Sequence, residues 1–375
     1  AMNYPQPLEI TLDQKVTLAY HPELKPMQRL DLANAASPLQ LSRLQPTAEV
    51  LQWIEHTYQW LGEAPDNRQV IGLTDSSYPA RLKELKHPPL ILYLEGNQKA
   101  LNYRSVAMVG SRNASRQGLR TAEDFASGLC EAGWAVVSGL AEGIDTAAHQ
   151  GALASHGATL AVLGHGLATI YPKRNQGLAK QIIELGGLLI SEYPPHTAPQ
   201  PAFFPRRNRL IAAIGQGTLV VEAAIRSGSL ITARFASELG RSVMAIPGSI
   251  HSAHSKGCHQ MIKKGALLVE TLDDIEEECK ASLPEGLMPA IPAKSSPEEK
   301  AETTEALLNQ EKSVCPNWLD AEPTHIDELG RRSGLCAEEL LSQLTELELE
   351  GIAVCDHGNR WQKVAISGLT SQKNT

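Results

Sequence analysis

Short, almost uninterrupted apolar runs recur from Ser105 to Val269, and each is followed by a loop and then a stretch with helical spacing. A strand that is apolar on both sides must be covered on both sides, which happens when helices pack on each face of a parallel sheet. The runs at 105–110, 134–138, 158–163, 187–190, 218–222, 242–246 and 266–269 therefore predict an α/β fold with a doubly wound, mostly parallel sheet. Such sheets bind their ligands at the carboxyl ends of the strands.

The loops at those ends carry glycine, serine, arginine and asparagine. The first reads Gly110-Ser111-Arg112-Asn113 and leads into a helix expected to reach about Glu131; the second, Ser138-Gly139-Leu140-Ala141-Glu142-Gly143, opens a helix at Asp145. Glycine lets backbone N–H groups approach an oxyanion, and a helix N-terminus adds a favourable dipole. A row of such loops suits a polyphosphate. Ser227-Gly228-Ser229 opens a further helix and has the same chemistry, although its hydroxyls serve equally well as ordinary helix caps.

Several other chemistries are excluded. Gly164-His165-Gly166 is followed by Leu167, Ala168 and Thr169, so the third glycine of a dinucleotide fingerprint is missing. No GxxxxGK[ST], HExxH or GxSxG motif occurs. His251, His254, Cys258 and His259 crowd one loop but match no structural zinc spacing, so no metal and no cofactor is expected. Asp145 and His149 sit one helical turn apart, a spacing that reads more simply as a capping acid and a packed histidine than as an acid–base pair.

The net charge of −8 argues against a polyanionic ligand, but its distribution argues for one. Acid gathers at 270–278 and 338–350, whereas Arg112, Arg116, Lys173, Arg174, Arg206, Arg207 and Arg209 fall in or beside the loops. Phe203-Phe204-Pro205-Arg206-Arg207-Asn208-Arg209 is the sharpest local signal: cations for phosphates behind two of only four phenylalanines. Six scattered cysteines without a CxxC pair fit free thiols in a reducing, cytoplasmic setting, and no membrane-spanning run is present.

Four segments follow from composition. Residues 1–69 form a small helical domain, 70–280 the sheet domain with the 88–94 segment at its edge, 281–303 a Pro/Ala/Ser-rich linker, and 304–375 a winged-helix-like domain. In the last, helices near 324–333 and 337–350 flank a turn at Gly334 and precede a hairpin at 352–361. Glu338, Glu339, Glu346, Glu348 and Glu350 make its second helix unsuited to reading DNA.

The ordered set Gly110-Ser111-Arg112, Ser138 to Asp145, Tyr171-Pro172 with Asn175, Ser191 to Pro195, Phe204 to Arg209, and Glu222 with Ser227 to Leu230 resembles the DNA-processing protein A (DprA/Smf) family over roughly residues 70–275. The resemblance implies a Rossmann-like, non-enzymatic domain that binds single-stranded DNA and dimerises. It implies a recombination mediator that protects incoming DNA, loads RecA during natural transformation and contacts single-strand-binding protein. It places DNA contacts at Arg112, Lys173, Arg174 and the Phe204–Arg209 stretch, and dimerisation at about residues 257–269. With the loop glycines and serines, the expected site is Gly110, Ser111, Arg112, Ser138, Gly139, Gly166, Lys173, Arg174, Phe204, Arg206, Arg207, Asn208, Arg209, Ser227, Gly228 and Ser229. A rival expectation comes from Gly215-Gln216-Gly217-Thr218 with Glu222, similar to the phosphoribohydrolases of the lysine-decarboxylase-like family, which cleave nucleoside monophosphates using a glutamate.

Overall fold

In a computed structural model, the described residues are 10–35, 41, 43–280, 319, 324–333, 340, 343, 344, 347, 353–355 and 360–363. The chain divides into two compact units, Ala1–Ala293 and Lys294–Thr375. The expected linker, the turn at Gly334 and the acids Glu338, Glu339, Glu346, Glu348 and Glu350 lie outside the described residues.

The first unit is built on strands β1 (Arg68–Gly72), β2 (Ile91–Gly96), β3 (Ser105–Val109), β4 (Ala135–Ser138), β5 (Thr159–Leu163), β6 (Leu188–Ser191), β7 (Gly217–Val220), β8 (Ser242–Ala245) and β9 (Leu267–Leu268). They form one sheet in the order β1-β2-β6-β5-β4-β3-β7-β8-β9. From β6 to β9 every neighbour is parallel; only β1 and β2 run antiparallel, at one edge. The sequence pattern reveals the seven parallel strands and β2. It hides β1, whose Arg68-Gln69 start is polar as befits a strand exposed along one side.

The helices are α1 (Leu12–Tyr20), α2 (Pro26–Ala35), α3 (Ala48–Glu63), α4 (Arg116–Glu131), α5 (Ile144–Ala154), α6 (Gln176–Glu184), α7 (Phe203–Ile214), α8 (Ser229–Glu238), α9 (Lys256–Ile262) and α10 (Leu272–Lys280), with a single helical turn at Ala80–Lys83. Strand alternation assigns them to two layers. Val106 and Met108 pack with Phe125 and Leu129 of α4 and Ala147 and Ala148 of α5. Ala107 and Val109 share the opposite core with Leu210, Ile211 and Ile214 of α7. Both layers are fully buried, which is why the strands read as continuously apolar.

The N-terminal helices share a core with the sheet. α1 starts in a capping box in which Thr11 Oγ1 accepts from Gln14 N and Gln14 Oε1 accepts from Thr11 N. Val16 and Ala19 of α1 and Val50, Ile54 and Trp60 of α3 then pack with Ile91, Tyr93, Leu163 and Leu189, alongside Leu178 and Ile182 of α6. Among the described residues no helix is long and apolar enough to cross a membrane.

In the second unit, β10 (Thr324–His325), β12 (Arg360–Lys363) and β11 (Ala353–Cys355) form an antiparallel sheet in that order beside α11 (Ile326–Ser333). Leu340, Leu344 and Leu347, at helical spacing, bury against Leu329, Ala353 and Trp361. That arrangement is the expected one of helices and a small β ribbon.

Candidate functional site

From β3 the chain builds outward through β4, β5 and β6, then crosses back to place β7 on the other side of β3. The loops leaving β3 and β7 diverge, and a crevice opens between them at the carboxyl ends of the strands. Its volume is about 660 Å³. Gly110, Ser111 and Arg112 line it from the β3 loop, Phe204, Arg207 and Asn208 from α7, and Arg226 to Ser229 from the β7 loop; Tyr171 closes one wall.

The loops are tied together beneath the crevice. Ser111 N donates to Glu222 O at 2.8 Å and Ile144 N to Ser111 O at 3.1 Å. Gly143, with φ +77°, is required because a Cβ there would run into the Ser111 and Arg112 carbonyls. Two acids satisfy amides of the loops and of the helix start they lead into. The Glu222 carboxylate accepts from Ser115 N at 2.9 Å and Ser115 Oγ at 2.5 Å, fixing the start of α4. Asp145 accepts from Gly139 N at 3.1 Å and Ala141 N at 3.4 Å. Glu222 is thus engaged in holding a helix terminus, which leaves the rival glycosidic chemistry without its acid.

Arg207 is the pivot of the site's electrostatics. Only 3% exposed, it donates to Gly139 O at 2.6 Å and to Val162 O. Burial lowers its pKa to about 10, with nearby Arg112 acting the same way and Asp145 opposing. Burial raises the Asp145 pKa, and Arg207 opposes that rise. His149 is buried with a ring nitrogen 2.7 Å from Thr159 Oγ1, and burial depresses it to about 3, so it is neutral packing. The lining carries three guanidinium groups, Arg112, Arg207 and Arg226, against the single carboxylate of Asp145, an excess of two positive charges. Arg112 and Arg226 are exposed and have no ion-pair partner among the described residues. The Arg112 guanidinium lies 5.7 Å from the centre of the Phe204 ring, a cation–π contact. Phe204 and Tyr171 are 5.8 Å apart between ring centres.

The structure therefore brings together Gly110, Ser111, Arg112, Phe204, Arg207, Asn208, Ser227, Gly228 and Ser229. It separates the rest. Helical periodicity divides the basic stretch: Phe204, Arg207, Asn208 and Ile211 share the crevice stripe, whereas Arg206 and Arg209 turn to the other flank. There both meet Glu192, Arg206 Nε at 3.7 Å and Arg209 in a tighter pair. Ser138 is buried and donates to Met108 O at 2.7 Å, and Gly139 is enclosed by Arg207 and Asp145. Gly166 N donates to Thr197 O at 2.9 Å, and Gly166 packs against the Pro194–Pro195 backbone. Lys173 and Arg174 are exposed on a turn outside the lining, where Arg174 pairs with Glu142 at 3.2 Å. Arg226 and Tyr171 also line the crevice, though neither is among the expected contacts: one is an isolated cation in a loop, the other enters the sequence pattern only as half of a Tyr-Pro pair.

A family model described as DNA recombination-mediator protein A matches residues 69–280, and one described as the DprA winged helix domain matches 292–359. Protein Smf of Escherichia coli (strain K12) is 41% identical over 303 residues, covering 80% of this chain and 78% of its own length. DNA processing protein DprA of Streptococcus pneumoniae (strain ATCC BAA-255 / R6) is 47% identical over 206 residues, 55% of this chain and 72% of that protein. An X-ray structure of DNA processing protein A from Streptococcus pneumoniae matches with a TM-score of 0.56 at 38% identity, covering 72% of this chain and 93% of the other. DNA processing protein A from Helicobacter pylori, whose structure is described for its single-stranded DNA binding mode, matches with a TM-score of 0.52 at 28% identity over 58% of this chain and 98% of the other.

Proposed function

Since this chain belongs to the DNA recombination-mediator protein A family of DNA-processing proteins, we propose that it binds single-stranded DNA in the crevice between β3 and β7. The observation that carries this reading is the excess of two guanidinium charges in a crevice walled by Tyr171 and Phe204 and floored by Ser227, Gly228 and Ser229. Cations and open backbone suit the phosphates of a strand, while aromatic faces suit unpaired bases of any sequence. The single-stranded DNA binding mode described for the Helicobacter pylori relative supports the same ligand.

The finer role is that of a mediator which shields incoming strands and loads RecA during natural transformation, in contact with single-strand-binding protein. Homodimerisation through about residues 257–269 is part of this reading. It is supported by the edge position of β9 and by Leu267 and Leu268, 37% and 40% exposed there. An unpaired strand edge with apolar side chains is a ready surface for a second copy. Gel-shift titration of the full chain with single- and double-stranded oligonucleotides tests the core claim. Tight, salt-sensitive retention of the single strand is expected, and equal or absent binding of both forms refutes it. RecA loading is tested by adding the protein to RecA and DNA covered by single-strand-binding protein and following filament formation.

A further inference from the structure

On the other flank of α7, where α1 and α2 meet the sheet domain, lies a smaller cavity of about 90 Å³. Its lining carries three guanidinium groups, Arg29, Arg206 and Arg209, against the single carboxylate of Glu192. Arg209 matches that carboxylate in a tight pair, while Arg206 Nε stands 3.7 Å from it. Arg29 meets no carboxylate among the described residues and cannot swing away. Its Nε, Nη1 and Nη2 donate to Leu24 O at 3.0 Å, Ala19 O at 2.7 Å and His21 O at 2.7 Å. Burial lowers its pKa, and the charge of Arg206 acts the same way, so two like charges are held close together. Two further atoms are buried without partners: Glu192 Oε1 lacks a donor and Arg209 Nη1 lacks an acceptor.

We propose that this pocket binds a protonated phosphate, whose oxygens accept from Arg29, Arg206 and Arg209 while its hydroxyl donates to Glu192. A water would satisfy the two unpartnered atoms but leave the excess charge; hydrogen phosphate answers both. The cavity has the volume of about three waters, enough for one tetrahedral oxyanion and not for a nucleoside. The Glu192 carboxylate makes the site selective. It repels an anion that has no proton to offer, which excludes sulfate and the diester backbone of a nucleic acid. Two sources share the remaining chemistry: the free ion, and the terminal monoester of a strand, which is partly protonated near its second pKa of about 6. Either would bridge Arg29 of α2 to Arg206 of α7 and so fasten the N-terminal helices to the helix that also lines the crevice. The site stands whether or not the crevice holds DNA.

The test follows melting of the full chain in phosphate and in sulfate at fixed ionic strength and mildly acidic pH. Both ions are excluded from protein surfaces and stabilise generally, so the difference between them reports the site. At tenfold excess over Kd, phosphate should raise the midpoint on the order of 3 °C beyond sulfate. Arg206→Gln, an exposed position, should abolish that difference. Arg29→Gln should abolish it too, at a lower melting temperature because three carbonyls lose their donor. Arg112→Gln should keep it, and Glu192→Gln should let sulfate act as well as phosphate. Equal wild-type responses to the two ions would overturn the proposal, as would a difference that survives both Arg206→Gln and Arg29→Gln or disappears only in Arg112→Gln. Terminally phosphorylated and unphosphorylated oligothymidylate then separate the sources. An extra rise with the phosphorylated strand, absent in Arg206→Gln, assigns the site to strand ends; no extra rise assigns it to the free ion.

Discussion

Replacing Arg207 by Met separates the support of the site from its ligand contacts. The side chain is almost fully buried and donates to the carbonyls of Gly139 and Val162 beside the Asp145 carboxylate. Methionine fills similar space, so the loss is one of charge and hydrogen bonds. Removing a buried cation that supports a buried carboxylate through space costs up to about 3–5 kcal/mol, the figure for a contacting buried pair, because the other charge stays behind without compensation. For a unit of this size that is a fall in melting temperature on the order of 10 °C.

The pH dependence gives the argument its sign. Burial already holds the folded Asp145 pKa above the ordinary value, and Arg207 restrains the rise. A carboxyl group whose folded pKa is raised contributes stability that is full below its unfolded value, near 4, and lost as pH climbs through the folded value. Without Arg207 the rise is larger. The deficit of Arg207→Met relative to wild type, measured by urea unfolding at each pH, should therefore be greatest in neutral to mildly alkaline buffer and shrink on acidification. Adding Asp145→Asn should recover most of it. An equal deficit across the pH range, or none, would show that the pair does not support the fold as described.

Other substitutions should divide along the same line. Arg112→Ala and Arg226→Ala are exposed and should leave melting unchanged, while each reduces the slope of log affinity against log salt for single strands by about 0.7. Unaltered slopes in both would remove these residues from the interface. Gly228 has φ −63° and open space where a Cβ would sit, so Gly228→Ala should match or exceed wild-type stability, by up to about 1 kcal/mol, yet weaken DNA binding in a filter assay. Gly139→Ala should instead destabilise, since its Cβ would lie 2.6 Å from Arg207 and Asp145. Lysine at both Leu267 and Leu268 should give a monomer in sedimentation velocity with the fold intact; a dimer that persists would place the interface elsewhere.

The parallel strands were legible because burial on both faces leaves an unmistakable apolar run, as at Ser105–Val109 and Thr159–Leu163. The glycine loops were legible as loops, but their use was not. Whether the amide of Gly139 faces a phosphate or Asp145, and whether Ser115 faces a ligand or Glu222, depends on groups brought together from distant parts of the chain. The Phe204–Arg209 stretch shows a subtler limit. Its composition marks it as basic, yet only the phase of α7 separates Arg207 and Asn208, which line the crevice, from Arg206 and Arg209, which turn away from it. Arg226 carries no pattern at all and acquires meaning only from its place opposite Arg112.

An acidic chain can still grip a polyanion if its acids are kept at a distance, and the sheet itself supplies that distance. Trp134, which precedes β4, donates to Glu276 of α10, and Ser242, the first residue of β8, donates to Glu278. These acids of the 270–278 cluster therefore sit at the amino ends of the strands, while Arg112 and Arg226 stand at the carboxyl ends. Four residues of strand separate the two ends, roughly 13 Å at 3.3 Å per residue. At physiological salt the screening length is about 8 Å, so the cluster's repulsion is largely damped where the strand would bind. Lowering the salt lengthens that reach while also strengthening the guanidinium contacts. Neutralising Glu276 and Glu278 should therefore change affinity noticeably only in dilute buffer, whereas the loss from Arg112→Ala should persist at physiological ionic strength. Equal sensitivity of both pairs to salt would mean that the net charge, rather than the crevice, governs binding.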